Sequence, residues 1–136
     1  MPDHKRILLV DENEQILYGN RWLFEHSGYE VATARTLAEA GVQIAENRPD
    51  VIILDIALPD GSGLEFMRKH RQGENAGIPI LLFTGIPTPW ALVPELTQRG
   101  SDYLNKPYDF SELLAKTEAL LQIGTQTEVR TDDGTE

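Results

Sequence analysis

Five polar residues of this chain stand at or just past the end of an apolar run. Asp11 and Glu12 follow Ile7-Leu8-Leu9-Val10, Asp55 closes Val51-Ile52-Ile53-Leu54-Asp55, Thr84 closes Ile80-Leu81-Leu82-Phe83-Thr84, and Lys106 closes Tyr103-Leu104-Asn105-Lys106. Short aliphatic runs bounded by turn residues fit strands buried on both faces, as the strands of a parallel sheet are. All carboxyl ends of such a sheet lie on one edge, where open α/β sheets bind ligands, so the five side chains are expected to converge. Three carboxylates packed together repel one another and need a cation. An all-oxygen set suits Mg²⁺, which keeps several waters and binds phosphate as well. Each residue also has a plainer role: Asp11 as a helix cap, Thr84 as a strand-end hydroxyl, Lys106 as a solvated charge, Asp55 as the lead into a turn. Such residues at every one of these strand ends are the stronger signal.

The elements that must hold them alternate. After the first strand, Glu14 to about Ser27 reads as a helix, with Ile16 and Leu23, and Leu17 and Phe24, seven apart on a buried stripe, and Gly28 as its stop. Val31–Ala34 is a short strand. Thr36-Leu37-Ala38-Glu39 has capping-box spacing and starts a second helix with Leu37, Gly41, Ile44 and Ala45 inward. Pro49 delivers the chain to the Asp55 strand, which Leu58-Pro59-Asp60-Gly61 ends, since proline cannot donate to the ladder and Asp-Gly favours a turn. Gly63 to Gln72 is a third helix, with Leu64 and Met67 on one face and Arg68, Lys69 and Arg71 solvated. The last helix is the clearest: Phe110, Leu113, Leu114, Thr117, Leu120 and Leu121 follow the helical period after Asp109 as cap, with Glu112 at the capping-box position. Five strands alternating with five helical segments imply an α/β fold with a parallel sheet, right-handed crossovers and helices on both faces.

Composition bounds the rest. A chain of 136 residues with 40% hydrophobic residues fits one globular domain. Residues 1–123 are expected to form it, with residues 124–136 a flexible acidic tail or linker. No apolar run is long enough to span a bilayer and the start leads straight into a strand, so a cytoplasmic protein without membrane contact is expected. Cysteine is absent and His4, His26 and His70 form no ligand motif, which disfavours zinc. A net charge of −10 opposes direct nucleic-acid binding.

Taken in order, Val10-Asp11-Glu12, Leu54-Asp55 with Leu58-Pro59-Asp60-Gly61, Thr84, and Asp102-Tyr103-Leu104-Asn105-Lys106-Pro107 resemble a two-component response-regulator receiver domain over about residues 5 to 123. The resemblance implies a flavodoxin-like doubly wound sheet of five parallel strands in the order 2-1-3-4-5, with the site at the switch between strands one and three. It implies that Asp11 and Glu12 hold Mg²⁺ together with Asp55 and the backbone carbonyl of Ala57. Asp55 would be the phosphoacceptor, taking a phosphoryl group from a histidine kinase or histidine phosphotransfer protein. Lys106 would neutralise transferring charge, Thr84 would donate its hydroxyl to the new phosphoryl group, and Tyr103 would turn inward as Thr84 moves. Output would pass to an effector domain or a downstream protein. Formation of an aspartyl phosphate is a stoichiometric half-reaction, so no turnover enzyme is expected.

Departures from the family pattern carry expectations of their own. Glu12 stands where the family often has Asp, a change of one methylene. Pro87, Pro89 and Pro94 fall in the expected fourth helix, which must therefore be kinked, or start late and be short. Ala57 and Ile86, two after Asp55 and Thr84, can neither hydrogen-bond nor orient an attacking water, so a long-lived phosphoprotein is expected. Tyr18 and Trp22, four apart on the first helix, are expected to form an exposed aromatic patch beside the site, a candidate docking surface for the phosphodonor protein.

Three other readings compete with this one. A haloacid-dehalogenase-type phosphatase needs a second Asp two positions after the nucleophile, where Ala57 stands. A flavodoxin needs a phosphate-binding loop after the first strand, where Asp11 and Glu12 would repel phosphate. A pseudo-receiver, a binding module that is never phosphorylated, is opposed by the filled site positions and is decided by a phosphorylation assay.

Overall fold

The computed structural model describes residues 4–85, 93–98 and 100–133, with side chains described as far as residue 122. Four of the five long strands, β1 (Arg6–Val10), β2 (Glu30–Ala34), β3 (Val51–Asp55) and β6 (Ile80–Thr84), have five residues each, and β7 (Asp102–Asn105) has four. Two-residue strands β4 (Ala57–Leu58) and β5 (Gly61–Ser62) form a small antiparallel hairpin just after β3. The main sheet is parallel throughout, in the order β2-β1-β3-β6-β7, which counted along that sheet alone is 2-1-3-4-5. Every residue of β3 and β6 is buried.

Side chains alternate across a strand, and here that alternation divides the core into two layers. Leu8, Val10, Ile52, Leu54, Ile80 and Leu82 face Ala40 and Ile44 of helix α2 (Leu37–Glu46), Met67 of α3 (Gly63–His70) and Leu96 of α4 (Val93–Leu96). Ile7, Leu9, Ile53, Leu81 and Phe83 face Leu17 and Phe24 of α1 (Glu14–His26) and Leu113, Leu120 and Leu121 of α5 (Phe110–Asp133). Helices therefore cover both faces of the sheet, as the alternating pattern implies.

Local capping follows the sequence. Asn13 accepts from the N–H groups of Gln15 and Ile16, and Thr36 Oγ1 from Glu39 N at 3.0 Å. Ser62 caps α3. Gly63 is required by proximity: a Cβ there would lie 2.2 Å from the backbone oxygen of Asp55, and its N–H donates to Ile56 O at 2.7 Å.

Two expectations are corrected. The inward face of α2 is Leu37, Ala40 and Ile44, whereas Gly41 and Ala45 are exposed. Alanine and glycine mark a face weakly, so the register rests on Leu37 and Ile44, and the position between them that packs is Ala40. Arg68 and Arg71 are not simply solvated: Arg68 pairs with Glu95 through Nε–Oε2 at 2.5 Å and Nη2–Oε1 at 2.9 Å, and Arg71 Nη2 donates to Gln98 O at 3.3 Å. The described part of the fourth helix is one turn, Val93–Leu96, with Pro94 inside it, where a missing N–H has no intrahelical partner to lose. Pro87, Thr88 and Pro89, and with them the expected start of this helix, lie outside the described residues. The backbone of α5 runs on to Asp133, through the first residues of the expected tail. Residues 125–133 contain no proline, and one glycine costs a helix only about 1 kcal/mol.

Candidate functional site

The parallel sheet brings the ends of β1, β3, β6 and β7 to one edge. Asp11 follows β1 and is held there by its own N–H, which donates to Ala34 O at 3.1 Å, and by its Oδ1, which accepts from Asn13 N at 2.9 Å. Asp55 ends β3, in register with Phe83. Both carboxylates are nearly shielded from solvent, Asp11 at 3% and Asp55 at 9% exposure. Thr84 is as buried, at 3%, and its carbonyl accepts from Lys106 N at 2.8 Å, which ties the start of the Lys106 loop to the end of β6. The peptide that follows, Lys106–Pro107, is cis.

Lys106 joins the two acids. Its Nζ lies 3.2 Å from Asp11 Oδ2 and 3.6 Å from Asp55 Oδ2, and 5.6 Å from the centre of the Phe83 ring. Burial pushes the Asp55 carboxyl above its usual value and the Asp11 charge adds to this; Lys106 and the N–H groups of Ala57 and Ile56 act the other way without cancelling it. The site is thus an acidic pair whose mutual repulsion is only partly relieved by one ammonium.

Other expected residues are placed less tightly. Glu12 is exposed, and among the described residues no three His, Cys, Asp or Glu side chains are grouped as a metal site. Ala57 begins the β4–β5 hairpin, paired with Ser62, with its side chain exposed. Tyr103 is half-buried against the α2–α3 layer, with Lys116 Nζ 5.9 Å from its ring centre. Ile86 lies outside the described residues. Tyr18 and Trp22 are exposed, at 74% and 49%, and the Trp22 ring stacks on His26 with centroids 3.7 Å apart.

Three residues near the site were not anticipated. Tyr108 stacks on Phe83 with centroids 4.9 Å apart and accepts from Asn20 Nδ2 at 2.9 Å. Burial raises its phenol, against the pull of Asn20 and Lys106. Asn20 had a signal: it sits between Leu17 and Phe24 at helical spacing, a polar residue on a buried stripe. Arg35, whose guanidinium reaches the Glu12 carbonyl, had none, because a charged residue after a strand reads as solvated.

Comparison with known proteins decides the family: the response regulator receiver domain matches residues 7–118. The chain belongs to that family. This receiver is 38% identical over 118 residues to the response regulator MprA of a Mycobacterium species, a match covering 86% of this chain and 50% of that protein. It is 33% identical over 116 residues to the KDP operon transcriptional regulatory protein KdpE of Escherichia coli, covering 85% and 51%. The chain spans about half the length of the curated relatives it matches. Among solved structures it resembles a CheY-like response regulator receiver domain protein from Methanospirillum hungatei, with a TM-score of 0.82 and 30% identity over 92% of this chain and 99% of that one. A two-component response regulator from Clostridium difficile gives 0.78 and 30% over 88% and 97%. The receiver is a phosphorelay signalling module by family, and the phosphatase and flavodoxin readings fall away. No helix among its described residues is long and apolar enough to cross a membrane.

Proposed function

We propose that this receiver takes a phosphoryl group onto Asp55 from the phosphohistidine of a histidine kinase or histidine phosphotransfer protein. An Asp55 carboxylate oxygen forms the new P–O bond as the P–N bond to the donor imidazole breaks, and the imidazole leaves as a neutral ring after taking up a proton. The observation that carries this reading is the position of Lys106 Nζ, within 3.2 Å of Asp11 and 3.6 Å of Asp55 at the carboxyl edge of the sheet. A single ammonium there offsets ground-state charge and remains available to the oxygens of a transferring group. Thr84, at the end of β6, would donate its hydroxyl to the acquired phosphoryl group, and Tyr103 on the adjoining strand would follow that movement.

The donor set fits Mg²⁺ in its chemistry. Asp11 and Asp55 are buried oxygen donors whose negative charge Lys106 only partly offsets, and Glu12 is adjacent with a side chain long enough to turn toward them. Together with the Ala57 carbonyl these residues would hold the ion. When bound, Mg²⁺ supplies further neutralisation of the phosphoryl oxygens. The protein acts stoichiometrically in this scheme, without turnover. Its output would pass through an effector domain or a downstream protein, and its negative charge argues against direct nucleic-acid contact by this domain.

Intact mass after incubation with Mg²⁺ and a small acyl phosphate tests the reading. The parent protein is expected to gain one phosphoryl group, Asp55→Asn none, and Asp11→Ala to lose metal binding and phosphorylation together. A phosphorylated Asp55→Asn variant, or undiminished phosphorylation in chelator, would overturn it.

A further inference from the structure

The junction between β2 and α2 makes contacts that the chemistry above does not use. Ala34 O receives the Asp11 N–H at 3.1 Å. The next residue, Arg35, donates from Nη2 at 3.1 Å and Nε at 3.3 Å to the carbonyl of Glu12, and its Nη1 lies 3.7 Å from Glu14 Oε2. Arg35 is itself anchored, because its N–H donates to Glu39 Oε1 at 2.8 Å. Two residues further on, the N–H groups of Leu37 and Ala38 donate to Asp60 Oδ1 at 2.8 Å and Oδ2 at 3.1 Å. Four residues of this junction, Ala34, Arg35, Leu37 and Ala38, thus hold the loop that carries Asp11 and Glu12 and also the loop that follows Asp55.

We propose that Arg35 is a positioning residue for phosphotransfer: its guanidinium fork clamps the Glu12 carbonyl, fixes the backbone from which the Glu12 side chain would turn toward Asp11 and Asp55 when metal binds, and thereby strengthens Mg²⁺ binding. The inference rests on the reading of those three acids as the metal-holding set. Glu12 is exposed and has three side-chain torsions to order, so a fixed backbone removes part of the disorder that metal binding must overcome. A planar two-donor fork suits this task better than a lysine. The Arg35–Glu14 pair is exposed and contributes little by itself.

Electrostatics gives the test its sign. Arg35 is a cation near the place of a dication, so loss of its charge alone would tighten Mg²⁺ binding, whereas loss of the clamp weakens it. Arg35→Lys keeps the charge and removes the fork. Mg²⁺ titration of the unphosphorylated protein by calorimetry is expected to show Kd raised about three- to tenfold in Arg35→Ala and in Arg35→Lys, as the loss of a net hydrogen bond implies. Phosphorylation by a small acyl phosphate should then need proportionally more Mg²⁺ while its limiting rate stays near that of the parent. Glu14→Gln should keep parental Mg²⁺ affinity. Thermal melting confirms folding, and if Arg35→Ala does not fold, Arg35→Lys carries the test. Unchanged or tighter Mg²⁺ binding overturns the proposal, as does a lower limiting rate at unchanged affinity. A parent protein that binds no Mg²⁺ removes the reading beneath it and the proposal with it, and is recognised before any variant is measured.

Discussion

Lys106 Nζ stands 3.6 Å from Asp55 Oδ2, yet the Asp55 carboxyl remains above its usual value because burial and Asp11 outweigh the lysine. A group whose pKa is raised by folding stabilises the fold fully below its unfolded value, near 3.8, and that contribution is lost as pH rises through the folded value. At neutral pH the ionised Asp55 therefore weighs against the fold. Asp55→Asn should raise the melting temperature at pH 7 without Mg²⁺ by about 2–5 °C, a shift fitting a chain of this size. The gain should shrink toward zero below about pH 4. Thermal scans across pH check this, and an equal gain at every pH would contradict it.

His70 has the opposite sign. Its Nε2 lies 3.1 Å from Ile78 O, and burial, with Arg48 and Arg71 assisting, lowers its pKa below 6.5 despite that carbonyl. A lowered pKa means stability present above the unfolded value and lost as pH falls through the folded one. The parent protein should therefore lose stability on acidification below pH 6.5, and His70→Gln should flatten that part of the profile. Denaturant midpoints measured from neutral to mildly acidic pH provide the comparison.

The exposed Tyr18 and Trp22 are expected to meet the phosphodonor protein. Truncating an exposed aromatic changes docking and leaves the chemistry at Asp55 alone, so Trp22→Ala should slow transfer from a cognate phosphotransfer protein by about tenfold, the loss of a moderate interface anchor. Phosphorylation by a small acyl phosphate should keep its rate. Equal slowing with both donors would count against docking.

Lifetime of the phosphoprotein is the fourth expectation. Ala57, two after Asp55, offers no hydrogen bond to an attacking water. Ala57→Asn should therefore speed dephosphorylation, and because orienting contacts in hydrolysis are worth up to about 10²-fold, tenfold is a reasonable scale. Decay of purified phosphoprotein with Mg²⁺ measures it, and a parent that already decays as fast as the variant would refute the idea.

The sequence by itself determined the sheet and the residues at its edge. Continuous aliphatic runs can be satisfied only where both faces are covered, and parallel pairing then carries Asp11, Asp55, Thr84 and Lys106 to one side whatever the loops do. It also determined the caps at Thr36 and the stripe of α5, because these depend on neighbours within a few residues. Tertiary structure alone decided the rest. Which face of α2 is buried turns on packing Ala40 rather than Gly41 against the sheet, and periodicity cannot distinguish two small residues one position apart. The pairing of Arg68 with Glu95, 27 positions away, and of Arg35 with the Glu12 carbonyl, 23 away, depends on how separate elements dock. Local sequence carries no term for that distance, so a charged side chain that reads as solvated becomes a clamp only when the fold brings its partner within reach.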